Sequence, residues 1–161
     1  VATKWVAGTQ QSDILDFRHS TSSNHLYGWD GNDVVIGGSG NDIIEGGKGA
    51  DFLWGGAGSD EFRFYSWDLQ PAGGVVDQIA DFQGAGKAGG DTISFGFVGE
   101  NASLQFAGFH RVYAADGSFT EDTSKGYYSL YSGTKYYGSF QIHTTDTTAD
   151  QLRLGVDYFL A

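Results

Sequence analysis

The chain has 161 residues, no cysteine, and 20 Asp and Glu against 9 Lys and Arg, for a formal net charge of −11. That length suits one domain, or a roll with a continuous cap, and the lack of cysteine excludes disulfides and thiolate metal sites. The acidity argues against nucleic acid or an anionic membrane as the main partner, and no apolar run reaches membrane-spanning length.

The sequence opens at Val1 with no visible signal peptide, so the chain is expected to be a monomeric module of a longer protein. Within residues 1–27, GTQQSDILD (8–16) places Asp13 sixth and Leu15 eighth, and HSTSSNHLY (19–27) places Asn24 and Leu26 at the same positions. Both are decayed copies of a nine-residue unit, as terminal repeats tend to be. Residues 28–63 then read GWDGNDVVI, GGSGNDIIE, GGKGADFLW and GGAGSDEFR without a gap. Every unit has glycine first and fourth, aspartate sixth and a large apolar residue eighth; only Trp29 departs from the glycine at position two. This is the G-G-x-G-x-D-x-U-x nonapeptide of calcium-binding parallel β structures.

Six glycine-rich residues per unit form a turn, and the last three form a short strand with alternating faces. Leu15, Leu26, Val35, Ile44, Leu53 and Phe62 are therefore expected to point inward, and Glu45, Trp54, Glu61 and Arg63 outward. Each unit is half a coil, so units two apart stack along one edge. A hard cation takes carboxylate and main-chain carbonyl oxygens. The candidate metal residues are Gly28, Asp30, Gly31 and Asp33, then Gly37, Gly38, Gly40 and Asp42, then Gly46, Gly47, Gly49 and Asp51, and last Gly55, Gly56, Gly58 and Asp60. Asp33 with Asp51, and Asp42 with Asp60, give two calcium sites. Asp13 with Asp33 adds a third, and Asn24 with Asp42 a fourth. Two divalent ions would bring the charge of −11 to −7. Repeat sites of low affinity fill where calcium is abundant, outside the cell.

Across residues 64–161 the repeats stop but strand signals continue. Phe62–Tyr65 joins the last repeat, and a loop over 68–74 holds the only proline, Pro71. VVDQIADF (75–82) and GDTISF (90–95) come next. Further strands are expected at Leu104–Phe106, Phe109–Ala115, Tyr127–Tyr131, Tyr136–His143 and Leu152–Leu160, with turns at Asp116-Gly117 and Ser132-Gly133. Short helical turns are expected at Ser66–Leu69 and Thr148–Leu152.

The four nonapeptides, the closing GSDEFRF, and then DQIADF and GDTISF resemble the RTX region of type I-secreted proteins. The match is similar to the C-terminal domain of serralysin-type proteases and to the R-modules of secreted mannuronan C5-epimerases, and the opening GTQQSDIL favours the latter. The resemblance implies an all-β, right-handed parallel β-roll with a C-terminal β-rich cap, secreted by type I machinery and folding on calcium, without catalytic activity of its own. The final VDYFLA (156–161) fits either an acidic-apolar secretion ending or a plain edge strand.

No HExxH or GxSxG motif occurs, and His19, His25, His110 and His143 lack partners at metal-ligand spacing. His19 and His25 read as ordinary loop residues, and catalysis is expected to reside on an absent part. Tyr128, Tyr136, Tyr137, Lys125 and Lys135 are candidates to bind an acidic polysaccharide such as alginate, ring faces packing the sugars and lysines meeting the carboxylates. The plainer reading is that these tyrosines fill the cap. Trp5, Trp29, Trp54 and Trp67 offer a second aromatic surface but lie too far apart in sequence to be paired. Three functions remain open: a calcium-dependent folding and secretion module, a carbohydrate-binding accessory to an epimerase, and a module of another exoprotein such as a protease, a lipase or an adhesin.

Overall fold

The computed structural model describes residues 3–69, 75–84, 90–99, 101–145, 152–153 and 158–160. Within them lie β1 (Lys4–Ala7), β2 (Ile14–Asp16), β3 (Asn24–Asp30), β4 (Val34–Ile36), β5 (Ile43–Lys48), β6 (Phe52–Trp54) and β7 (Glu61–Tyr65). They continue as β8 (Asp77–Phe82), β9 (Thr92–Gly96), β10 (Ala102–Tyr113), β11 (Phe119–Ser132), β12 (Lys135–Thr144) and β13 (Tyr158–Leu160). Pro71, all but Leu152 of the turn expected over Thr148–Leu152, and Asp157 fall outside the described residues.

From β1 to β10 successive strands alternate between two sheets. One is ordered β1-β3-β5-β7-β9-β13 and the other β10-β11-β12-β8-β6-β4-β2. All pairs are parallel except β10 with β11 and β11 with β12. This is the expected β-roll, with each nonapeptide contributing one strand to one sheet. Val34 pairs with Phe52, and Ile43 with Glu61. Both pairs span two units. The two extra residues between the starting copies appear as a longer first coil, where Ile14 pairs with Val34.

The eighth-position side chains build the core. Leu26, Val35, Ile44, Leu53 and Phe62 are fully buried, and Ile79 and Ile93 extend their columns. Leu15, in the first coil, packs on this core but is only partly covered. Burial of each such side chain stabilises the fold by about 1.5–3 kcal/mol. At the C-terminal end Phe64, Phe95 and Phe140 stack at centroid distances of 5.4–5.8 Å. That cluster joins the roll to its cap, because β12 pairs in parallel with β8.

Several expectations need correction. Three-residue strands hold for β4 and β6, but β3 and β5 run on to Asp30 and Lys48, pairing Trp29 with Gly47. Glu45 does point outward, yet it is buried. His25 Nε2 lies 2.7 Å from Glu45 Oε1, and Arg63 Nη1 lies 3.3 Å from the same atom. His25 is thus a strand residue covering a carboxylate rather than a loop residue. In the cap, the segments expected at 104–106 and 109–115 merge into β10, with register shifts between Phe106 and Gly108 and between Phe109 and His110. The turns at Asp116-Gly117 and Ser132-Gly133 connect β10–β11 and β11–β12, with φ of 83° at Gly117 and 58° at Gly133. Residues 66–69 form a turn, as expected.

Candidate metal centre

The sixth-position aspartates form two ladders, one along each edge of the roll. In the first, the Asp13 N–H donates to Asp33 Oδ1 at 2.7 Å, the Asp33 N–H to Asp51 Oδ1 at 2.8 Å, and the Asp51 N–H to Asp77 Oδ1 at 2.9 Å. In the second, Asn24 donates to Asp42 Oδ1, Asp42 to Asp60 Oδ1 and Asp60 to Asp91 Oδ1, at 2.7, 2.8 and 3.0 Å. One oxygen of each carboxylate therefore ties its coil to the coil before it. The expected pairs, Asp33 with Asp51 and Asp42 with Asp60, are stacked neighbours on the same edge.

The other oxygen is the informative one. Oδ2 of Asp33, Asp51, Asp60 and Asp77 is buried with no hydrogen-bond partner. A buried, unpartnered carboxylate oxygen is strongly unfavourable. Burial accordingly raises these acids: Asp51 to about 7, Asp60 to about 7 and Asp77 to about 8, with Asp33 raised as well. The carboxylates stacked beside them push in the same direction.

Each unpartnered oxygen of the repeats points at the first-position glycine of its own unit. A Cβ on Gly28 would strike Asp33 Oδ2 and the Gly46 carbonyl; one on Gly46 would strike Asp51 Oδ2, and one on Gly55 would strike Asp60 Oδ2. Gly37 stands in the same relation to Asp42 Oδ2 and the Gly55 carbonyl. The later glycines sit directly over the preceding coil: Gly47 over the Trp29 carbonyl, Gly49 over Gly31, Gly56 over Gly38 and Gly58 over Gly40. Glycine is needed there both for space and for conformation, since φ is 98° at Gly47 and at Gly56.

A cation fits these cradles. Each cradle offers a buried carboxylate oxygen, and at Gly28 the Gly46 carbonyl stands beside it, hard-oxygen donors suited to Ca²⁺. Asp33, Asp51 and Asp60, with Gly28, Gly46 and Gly55, would hold such ions. Once bound, the cation supplies the positive charge that these buried oxygens lack.

The other candidate side chains already carry hydrogen bonds or ion pairs. Asp13 Oδ2 accepts from the N–H and hydroxyl of Thr9, at 2.6 and 2.7 Å. Asn24 Nδ2 donates to Asp42 Oδ1 at 2.9 Å, and Asp42 Oδ2 accepts from the Gly38 N–H at 2.7 Å. The Asp30 side chain lies 3.8 Å from Lys48 Nζ. Asp77 and Asp91, absent from the sequence candidates, take the sixth-position role beyond the last repeat. The signal for them was Asp, then a polar residue, then a buried isoleucine, in Asp77-Gln78-Ile79 and Asp91-Thr92-Ile93. Asp81 accepts from the N–H groups of Gly55 and Gly56, both at 2.8 Å, and closes that turn from the cap side.

Of the residues named for polysaccharide contact in the cap, Tyr128 is buried, while Tyr136, Tyr137, Lys125 and Lys135 are partly or fully exposed and make contacts within the cap. Tyr128 is buried and stacks on Phe140 at 5.9 Å, so it has no ring face to offer. Lys135 Nζ lies 4.4 Å above the Tyr137 ring, whose hydroxyl donates to the Val98 carbonyl. The Tyr136 hydroxyl bonds Ser139, and Lys125 pairs with Asp122 at 3.0 Å. Of the tryptophans, Trp5, Trp29 and Trp67 share the β1-β3-β5-β7-β9-β13 side. Trp54 lies on the other, lining a cavity of about 350 Å³ with Arg18, Ile36 and Phe52.

Residues 20–44 and 36–63 match the RTX calcium-binding nonapeptide repeat (4 copies). No curated protein matches the chain. Among solved structures, the AlgE6R3 subunit of the Azotobacter vinelandii mannuronan C5-epimerase is similar at 26% identity and a TM-score of 0.55. The alignment covers 95% of this chain and 83% of that one. The aspartate ladder, the glycine cradles and these two matches agree: residues 20–63 carry RTX calcium-binding nonapeptide repeats, and the chain is similar to this epimerase subunit.

Proposed function

We propose that this chain is a non-catalytic, calcium-dependent folding module of a larger secreted protein, accessory to a catalytic part acting on alginate, as in a mannuronan C5-epimerase. The observation that carries the reading is the set of buried Oδ2 atoms on Asp33, Asp51, Asp60 and Asp77, which have no protein partner. Without a cation these carboxylates oppose the roll. With one, each becomes a cross-link between coils, so binding free energy becomes folding free energy. Such a chain stays open in a calcium-poor cytosol, suits export through type I machinery, and folds in the medium. Similarity to the epimerase subunit along nearly the whole chain supports that host over a protease, a lipase or an adhesin.

Far-UV circular dichroism during a calcium titration tests it. The expected result is a transition from a largely disordered chain in excess EDTA to a β-rich one with calcium. A roll fully formed in EDTA, with a melting temperature that calcium does not move, would sink the proposal.

A further inference from the structure

The outer face of the β1-β3-β5-β7-β9-β13 sheet carries two groups of aromatic rings that neither the core nor the metal ladder uses. On β3, Tyr27 and Trp29 lie side by side at 5.0 Å. At the far end of β7 and beyond β9, Tyr65 stacks on Trp67 at 5.2 Å and 8°, and Phe97 closes on Trp67 at 5.2 Å. Strand β5 runs between the groups and carries Gly47, and the buried Asp68 carboxylate, which accepts the Tyr65 N–H, lies beside the second group. Two strand spacings, roughly 10 Å, separate β3 from β7. That is about the length of a disaccharide.

These rings are held out against local preference. Trp29 is 44% exposed, Trp67 52% and Phe97 70%. Trp29 takes the position that is glycine in the other three repeats, and adopts a φ of 86° beside the 98° of Gly47 and Gly56. Phe97 has a φ of 59°. Left-handed backbone is rare for bulky residues and clusters where a surface is used. Two of the three non-glycine positive-φ residues among those described are thus exposed aromatics of one face.

The polar groups of the same face say what could lie on it. Lys48 is within 3.8 Å of Asp30, and Arg63 pairs with Glu61 at 2.9 Å and with Glu45 at 3.3 Å. His25 also faces Glu45. Between the two aromatic groups, each of these cations already has its carboxylate, and with two calcium ions bound the chain as a whole is still at −7, from −11 without them. A polyanion would find acids there and cations already neutralised, whereas sugar hydroxyls find abundant acceptors. We infer that this face is a binding platform for a neutral polysaccharide, its pyranose rings lying on Trp29 at one side and on Trp67 and Phe97 at the other. It is independent of the alginate-acting host proposed above, and requires only the calcium-loaded roll.

The test uses the full chain at saturating calcium, with circular dichroism confirming that every variant is folded. Cellohexaose, laminarihexaose, mannohexaose and a mannuronate hexamer are titrated by NMR and by tryptophan fluorescence. Trp29→Gly restores the repeat consensus and so separates binding from folding; Trp67→Ala probes the second group. At least one neutral hexamer should bind saturably, weaken roughly tenfold in each variant, and outcompete the mannuronate hexamer by a similar factor. The inference falls if no neutral hexamer binds at millimolar concentration, if binding ignores both substitutions, or if mannuronate is preferred on this face. It also falls if sedimentation shows the face pairing two copies of the chain, with Trp29→Gly releasing monomers.

Discussion

The two carboxylate oxygens of Asp51 face different demands. Oδ1 accepts the Asp33 N–H and holds two coils together, whereas Oδ2 is buried without a partner and raises the group to about 7. Asp51→Asn keeps an acceptor for the first contact and removes the ionisable charge from the second. In excess EDTA the variant should hold more β structure than the parent chain, and it should gain much less from calcium. Asp116→Ala, by contrast, removes an exposed turn acceptor bonded to Ser118, and should change stability by no more than about 0.5 kcal/mol with or without calcium. A full calcium response in the melting temperature of Asp51→Asn would show that its Oδ2 is not a ligand.

At the scale of an edge, stacked acids act together, and their ionisation sets a pH dependence of definite sign. Asp51, Asp60 and Asp77 titrate at about 7, 7 and 8 in the metal-free roll, against about 3.9 in an unfolded chain. Folded values above unfolded ones mean that the folded state holds its protons more tightly. Their stabilising contribution is complete below about pH 4 and is lost as pH rises through about 7–8. In EDTA the residual β content should therefore be higher at pH 5 than at pH 8.5; with saturating calcium the melting temperature should follow the opposite order, because protons compete for the same oxygens. An unchanged order in the two conditions would contradict the ladder as the calcium site. Much of this edge was legible in sequence, since the nine-residue period fixes which aspartates stack and which apolar residues turn inward. What the sequence hid depends on partners far along the chain. Glu45 is buried because His25 and Arg63, twenty residues before it and eighteen after, close over it. Asp77 and Asp91 were obscured because the coils lengthen after residue 63: Phe52 pairs with Gln78 and Glu61 with Thr92, so the count of eighteen no longer finds them. Tyr128 has the alternation of a surface strand, and only its pairing opposite Phe140 puts the ring inside.

For the whole molecule, the cap and the roll share one core, so neither should melt alone. Phe140 of β12 is fully buried against Phe64 of β7 and Phe95 of β9. Phe140→Ala should destabilise the calcium-loaded protein by about 3–5 kcal/mol and raise the calcium concentration needed for folding, although no metal candidate is near it in sequence. An unchanged calcium midpoint would show that the cap folds independently. The alternation of half-coils has a consequence of another kind, one of parity. Because each nonapeptide sends the chain to the opposite sheet, inserting one unit between Glu45 and Gly46 turns everything downstream half a revolution about the roll axis. The ladders re-form and calcium still folds the chain, but Trp29 and Tyr65 now look out from opposite sides. Inserting two units restores them to one side, a single strand further apart, about 5 Å. Fluorescence contact between the two aromatic groups would therefore vanish with one inserted unit and return, weakened, with two. In such a chain the length of the repeat array, odd or even, chooses which residues share a surface, and it does so without altering a single side chain.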